Sequence, residues 1–450
     1  MGKREPKNID RPNFRYTFLK SYICFAMTKL FYRRYSVTCD VKIPDNVPVV
    51  FAANHQNALM DALVIICATS RQPVFFARAD IFKKNLLRKV LTFLKIAPLF
   101  RIRDGRETLQ QNSESFDLAT GILSRNNTIG IFPEGTHSDK EQMISLKKGM
   151  ARMVLQAEHL HDFKLGVHVV PVSISYVDYI KPRSEVRVHL GKPLVFTEYK
   201  SLYDENPSQA LLKFNEEFEV ALKSIVIHVE NHESYNLIQS MRRSVIYEKL
   251  GSKSRRLRVS FSAAQEFIGK FNKLLNTDKQ RAEMILSEAS EYYTALEKFG
   301  ITEPILFRGG ISFFTSSALI LFLIIGFPIF IVGRILNYLP FLLVYKFINN
   351  KIADTQFRSS AYFAATALFV APLLYLLQAL AVALITASWA WGLLSIPAMI
   401  LLGIGAYQYL RVFKWSMFRW KANIFVRKHK ETATELMKLR NKLLEKLSDI

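Results

Sequence analysis

A chain of 450 residues, half of them apolar and 12% aromatic, can form two or three packed domains and is too apolar to be disordered. Its formal net charge of +23 implies an anionic partner: nucleic acid, anionic lipid or a phosphorylated substrate. Cys24, Cys39 and Cys67 have no metal-ligand spacing, and their odd number argues against a disulfide framework.

Residues 1–40 read as an N-terminal segment. Its start is polar and basic with no small-residue cleavage site behind it, so no cleavable signal peptide is expected. Phe14–Tyr35 mixes Phe, Tyr, Leu and Ile with Arg and Lys, a pattern that suits a helix lying in a membrane interface or an ordinary surface helix. Over residues 41–200, Val49–Ala53, Pro73–Ala77, Thr128–Phe132, His168–Tyr176 and Val186–Leu190 read as strands. Asn57–Ser70, Glu107–Arg125 and Lys147–His161 read as helices between them. That alternation predicts an α/β domain with a largely parallel sheet.

Residues 201–308 turn polar and helical, with apolar residues at three- and four-residue spacings and no motif of chemistry; they are expected to be a connector. Residues 309–410 read as a transmembrane region. Ile311–Gly333 carries no charge and is long enough to cross a hydrocarbon layer of roughly 30 Å. Ser359–Leu410 is also uncharged, with room for two spans and a turn near Ser388–Gly392. These stretches favour lipid over nucleic acid as the anionic partner. Ile335–Ile348 is shorter and contains Pro340 and Lys346. The tail, residues 411–450, is basic and opens on Trp415, Phe418 and Trp420, which places it on the cytoplasmic side. With the first domain also expected in the cytoplasm, the number of crossings is even and Ile335–Ile348 completes a hairpin. The fold class expected is an α/β domain, a helical segment and C-terminal transmembrane helices.

Chemistry concentrates in the α/β region. His55 follows the strand-like Val49–Ala53 and precedes a helical pattern, the place where open α/β sheets bind ligands. A histidine can take a proton from an alcohol near neutral pH, and a carboxylate that fixes its tautomer improves it. Asp61 is the only acidic residue between Asp45 and Asp80. Six positions on a regular helix lie roughly 120° apart, so His55 must precede the helix if the two are to meet. Asn54 and Asn57 are suitable turn residues there.

Further on, Phe132-Pro133-Glu134-Gly135-Thr136 ends a strand in a turn where Gly135 permits close backbone approach and Thr136 adds a hydroxyl. Glu134 reads as a positioning group, since it would repel a phosphate. Arg101 and Arg103 alternate with apolar residues on one face of an extended segment, fit either for phosphate or for anionic lipid. Lys83, Lys84, Arg88 and Lys89 fit anionic lipid better. Pro171 interrupts an apolar strand, as an edge or bend would, and that strand could form an apolar wall for an acyl chain.

In this order, Asn54-His55 with Asp61, Phe100-Arg101-Ile102-Arg103, Phe132-Pro133-Glu134-Gly135-Thr136 and Val170-Pro171-Val172 resemble the four blocks of the glycerolipid acyltransferase family. The likeness covers roughly Val41–Leu194 and includes Leu146-Lys147-Lys148-Gly149 after the third block. The family pattern has four residues between His and Asp where this chain has five, Gln56 to Met60, similar to a branch with fungal-type glycerol 3-phosphate and dihydroxyacetone phosphate acyltransferases. The resemblance implies that His55, oriented by Asp61, deprotonates an acceptor hydroxyl that attacks acyl-CoA or an acyl carrier protein thioester directly. No G-x-S-x-G elbow is present to supply a nucleophile. Asn54, Arg101, Arg103, Glu134, Gly135 and Thr136 would bind the acceptor, glycerol 3-phosphate or a related glycerol phosphate, and Pro171 would lie in the acyl-donor region. No metal or other cofactor is implied. Acylation of a lysophospholipid, or silent binding of anionic lipid at the leaflet surface, are the other readings.

Overall fold

The computed structural model describes residues 9–99, 108–251, 257–301 and 313–450. Two compact units are present, one holding a sheet and built from the chain up to His228 with short pieces at 256–258 and 354–360, the other from the rest of the chain. Arg101 and Arg103 lie outside the described residues.

The strands of the first unit are β1 (Arg34–Cys39), β2 (Val49–Ala53), β3 (Val74–Arg78), β4 (Ile96–Leu99), β5 (Thr128–Ile131), β6 (His168–Tyr176), β7 (Glu185–Leu190) and β8 (Leu194–Val195). They are ordered β1-β7-β6-β2-β5-β3-β4, with β8 beside β6. Pairing is parallel except where β6 meets β7 and β8, so the α/β fold with a largely parallel sheet is observed. β1 comes from the segment set apart as N-terminal: it pairs with β7 from Arg34↔Glu185 to Cys39↔Leu190. Its half-exposed alternation carries no apolar run, which is why it reads poorly as a strand.

The helices of this unit are α1 (Phe14–Phe25), α2 (Ala58–Ala68), α3 (Asn85–Phe93), α4 (Thr108–Ser124), α5 (Gly149–His159), α6 (Lys200–Glu205) and α7 (Pro207–Ile225). The crossovers β2-α2-β3 and β3-α3-β4 move the same way across the sheet, so their right-handedness puts α2 and α3 on one face. The other face packs against α4, α5 and α7 through Val50, Ala52, Ile129 and Val169 of the sheet and Ile122, Val154, Phe214 and Phe218 of the helices. α7 falls in the polar stretch expected to be a connector, but Ala210, Phe214, Phe218 and Leu222 form a buried stripe at four-residue spacing. Asn206 caps it by accepting from the Gln209 N–H at 3.1 Å, with Pro207 at the first turn.

α1 is tied to α2. Lys20 Nζ donates to the carbonyls of Thr69 at 2.7 Å and Arg71 at 2.6 Å, at the end of α2. Cys24 and Cys67 form a disulfide between the two helices, with Cα atoms 5.2 Å apart. The odd cysteine count argued against this pairing; Cys39 is simply the exposed residue left over.

In the second unit, three helices are long and apolar enough to cross a membrane: Phe314–Tyr338, Thr355–Thr386 and Trp389–Lys428. Ile335–Ile348 is not a separate arm, because it continues the helix Phe313–Lys351 through Pro340. That helix runs antiparallel to Trp389–Lys428: Gly326 faces Tyr409, Gly333 faces Leu402 and Ala406, and Asn337 faces Gly403. The turn between the last two apolar helices falls at Ala387, which is left-handed at φ 50°, and Ser388. Beyond them, helix Lys430–Ser448 returns to the helices that precede the apolar region. Arg440 pairs with Glu248 at 3.0 Å, and Lys442 and Lys446 pair with Glu288 at 3.0 and 2.7 Å.

One packing relation ties the sheet to the chemistry. A Cβ at Gly130 in β5 would overlap the ring of Phe75 in β3. Phe75 in turn stacks on Phe132, centroids 6.0 Å apart, and Phe132 stacks on His55 at 3.9 Å. Gly130→Ala is expected to displace this stack and destabilise the unit by about 1–3 kcal/mol, with Phe75→Leu in the same chain restoring part of the loss. Thermal unfolding in detergent measures both; an unchanged midpoint in Gly130→Ala would contradict the packing.

Candidate active site

β2 ends at Ala53, and α2 begins at Ala58, leaving His55 in the turn before the helix and Asp61 in its first turn. The turn holds one left-handed non-glycine residue, Ala58 at φ 40°, a conformation that side chains disfavour and that collects at functional sites. This geometry closes the six-residue step: His55 Nδ1 lies 2.8 Å from Asp61 Oδ2.

Asp61 is fully buried. Its Oδ2 also accepts the backbone N–H groups of Gln56 and Asn57, each at 2.8 Å, and its Oδ1 accepts the Tyr176 hydroxyl at 2.6 Å. A buried carboxylate needs such donors, and the start of α2 adds its positive dipole end. Burial and the adjacent Asp61 charge raise the Tyr176 hydroxyl well above its ordinary value, so it stays a donor. Because two amide N–H groups already point at Oδ2, that oxygen is an acceptor for the imidazole as well. Nδ1 therefore carries the proton, and the other ring nitrogen, Nε2, is the basic one.

A second segment clamps the same histidine. Gly135, left-handed at φ 66°, turns the chain after β5. Glu134 Oε1 accepts the His55 N–H at 3.3 Å, and the Ser138 N–H donates to the His55 carbonyl at 3.1 Å. Gln56 Nε2 donates to the Lys140 carbonyl at 3.2 Å. The backbone of His55 is thus held at both ends by the loop around Glu134, while its ring lies on Phe132 and meets His137 edge-on with centroids 5.5 Å apart. Gly135 and Thr136 are exposed at the rim. Asn54, His55, Gln56 and Glu134 line a cleft together with Ile174, Ser175 and Met143.

Two further expected site residues take structural positions. The Asn54 side chain donates to the Ile174 carbonyl at 3.0 Å and accepts the Ile174 N–H at 2.7 Å, adding a rung between β2 and β6. Pro171 sits inside the sheet rather than at an edge. Its neighbour beyond β2 changes from β7 to β8 at this point, and its carbonyl accepts the Gly191 N–H at 2.9 Å. The missing proline N–H falls in that gap, so no ladder bond is lost. Ile174 and Ser175, not Pro171, carry β6 into the cleft. Sequence reasoning missed Tyr176 and Phe132 as supports: Tyr176 is 115 residues from Asp61, and an aromatic at a strand end reads as ordinary core. Among the described residues no cluster of His, Cys, Asp or Glu is arranged to hold a metal ion.

The Acyltransferase family model matches residues 34–175, the stretch from β1 to β6 that contains this site. Over this stretch the chain is similar to the glycerolipid acyltransferases. It is 29% identical over 29% of its length to glycerol-3-phosphate O-acyltransferase 2 of Saccharomyces cerevisiae, and 24% identical over 53% to glycerol-3-phosphate O-acyltransferase 1 of the same yeast. It is 25% identical over 33% to the chloroplastic 1-acyl-sn-glycerol-3-phosphate acyltransferase LPAT1 of Arabidopsis thaliana. The matched stretches span 18%, 32% and 40% of those proteins' own lengths. A solved 1-acyl-sn-glycerophosphate acyltransferase from Thermotoga maritima aligns with 46% of this chain and 77% of its own, at 22% identity and a TM-score of 0.33.

Within this site, the Glu134 carboxyl is strongly displaced. Burial pushes its carboxyl from 4.5 up to about 8, only partly opposed by the N–H groups of His55 and Ile144. The unfolded chain ionises this group first. Its contribution to stability is therefore complete below pH 4.5 and is lost as the pH rises towards about 8. Glu134→Gln, which keeps the shape and cannot ionise, is expected to flatten the stability profile between those limits. Thermal midpoints across that pH range measure this, and parallel profiles for the two proteins would contradict it.

Proposed function

We propose that the chain is a membrane-bound acyltransferase that moves a fatty acyl group from an acyl thioester to a hydroxyl of glycerol 3-phosphate, or a related glycerol phosphate, in phospholipid synthesis. The observation that carries this reading is the imidazole of His55, fixed through Nδ1 on a buried carboxylate with Nε2 left basic. An acceptor hydroxyl gives its proton to Nε2 as its oxygen attacks the thioester carbonyl, and Asp61 stabilises the imidazolium that forms. When the tetrahedral adduct collapses, the C–S bond breaks and the departing thiolate takes that proton. The donor is acyl-CoA or an acylated carrier protein.

The acceptor phosphate lies at the rim around Gly135 and Thr136, with Arg101 and Arg103 of the preceding block as its cationic ligands. A Glu134 carboxyl pushed up to about 8 is neutral at pH 7 and does not repel that phosphate. Glycerol 3-phosphate is preferred as acceptor because both yeast relatives are named for it and because of the five-residue interval between His55 and Asp61. The name of the Arabidopsis relative keeps 1-acylglycerol 3-phosphate as the second acceptor. The catalytic domain faces the cytoplasm, where soluble acyl thioesters are available, and basic surface residues meet the anionic leaflet.

Purified full-length protein in phospholipid vesicles, supplied with acyl-CoA and each acceptor in turn, tests the reading. Acyl transfer to glycerol 3-phosphate is expected to exceed transfer to 1-acylglycerol 3-phosphate, and His55→Ala is expected to lower it by at least 100-fold, the usual contribution of a general base. Equal activity in His55→Ala would overturn the mechanism, and preference for the acylated acceptor would reassign the substrate.

A further inference from the structure

α3 is a second feature of the first unit that no catalytic role absorbs. Its sequence, Asn85-Leu86-Leu87-Arg88-Lys89-Val90-Leu91-Thr92-Phe93, separates cleanly on a helix. At 100° per residue, Phe93, Leu86, Val90, Leu87 and Leu91 occupy an arc of roughly 160°, and Arg88, Thr92, Asn85 and Lys89 fill the remainder. No residue of the helix is buried. Leu86 is 77% exposed, Val90 44%, Leu87 42% and Phe93 38%, and Ile81 just ahead of the helix is 40% exposed. An apolar stripe of this length left open on a folded domain marks a surface that meets something else.

The chemistry around the stripe selects its occupant. Lys83, Lys84 and Lys89 are exposed beside it, and no ion pair to an acidic residue is formed by them among the described residues. Bulky aliphatic and aromatic groups flanked by uncompensated cations match an anionic lipid interface: the stripe enters the acyl boundary and the ammonium groups stay among the phosphates. The outward aromatics of α1, Phe14 and Phe18, both more than three-quarters exposed, stand on the same face of the sheet, since α1 is bonded to α2 and α2 shares its face with α3.

We infer that α3 is an interfacial membrane anchor, inserting Leu86, Leu87, Val90 and Phe93 below the phosphates of an anionic leaflet while Lys83, Lys84 and Lys89 bind the headgroups. The segment Ala79–Phe82 and the start of α3 follow the carboxyl end of β3, the same edge of the parallel strands from which the His55 and Glu134 turns emerge. Docking of α3 therefore holds the mouth of the cleft at the depth where an acyl product leaves for the bilayer. The anchoring itself does not depend on the acyl-transfer reading.

Spin-label depth measurement on the full-length protein in vesicles tests it without an activity readout. In a Cys39→Ser background, nitroxides are attached at Leu86→Cys, Val90→Cys and, as an aqueous control, Lys164→Cys, whose side chain is 80% exposed. In vesicles of mixed neutral and anionic phospholipid, the first two labels are expected to collide more with oxygen than with a water-soluble nickel complex, and the control to show the reverse. Replacing Lys83, Lys84 and Lys89 together by Gln is expected to make both labels shallower in anionic vesicles and leave them unchanged in neutral ones. Labels at 86 and 90 as open to nickel as the control would overturn the inference. Labels shielded from both reagents would overturn it too, in favour of a protein partner.

Discussion

The carboxylate of Asp61 is the constraint on which the site depends. It lies out of contact with water and receives a ring N–H, two backbone N–H groups and a phenol. Each donor belongs to a different part of the problem. The backbone pair fixes the turn after β2, the phenol locks that turn to β6, and the imidazole is left with one orientation and one tautomer. Removing the charge would strand several buried donors at once, so the site is stabilised as a network rather than as a pair. The loop around Glu134 then acts on the same residue from the other side, through the His55 peptide.

Much of this arrangement is legible in the residues. Strands flagged by β-branched and apolar runs fall where expected, because in a buried parallel sheet the hydrophobic run is itself the signal. The requirement that His55 precede the helix follows from helical geometry and is met. What was not legible depends on contacts between distant residues. Nothing near Tyr176 signals that its hydroxyl meets Asp61. Asn54 carries hydrogen-bonding groups suited to a ligand, yet a neighbouring strand takes both of them. Pro171 looks like an edge marker until the handover from β7 to β8 shows where its missing N–H falls. The Cys24–Cys67 bond is likewise invisible to counting, since it depends on α1 lying along α2. β1 escaped because an exposed, alternating strand at a sheet edge lacks an apolar run.

The helical half shows the same division. Uncharged length identifies the apolar helices, as a hydrocarbon environment demands. Their pairing is a packing result: glycine at 333 lets the helix Phe313–Lys351 approach the backbone of its antiparallel partner at Leu402. The basic tail, which suggested a side of the membrane, is engaged with acidic residues of the preceding helices. Part of the chain's large positive charge is thus used in folding, whereas Lys83, Lys84 and Lys89 beside α3 pair with no acidic residue among the described residues.

The account stands or falls on whether Asp61 fixes the orientation and tautomer of His55. Single-turnover acyl transfer from acyl-CoA to glycerol 3-phosphate by the full-length protein and by Asp61→Asn measures this most directly, because asparagine keeps the volume and the backbone contacts can persist while the imidazole loses its acceptor. A fall on the order of 10³–10⁴-fold in the transfer rate, with acceptor binding little changed, is the expected result for a wrongly oriented tautomer. A transfer rate in Asp61→Asn equal to that of the unaltered chain would contradict it.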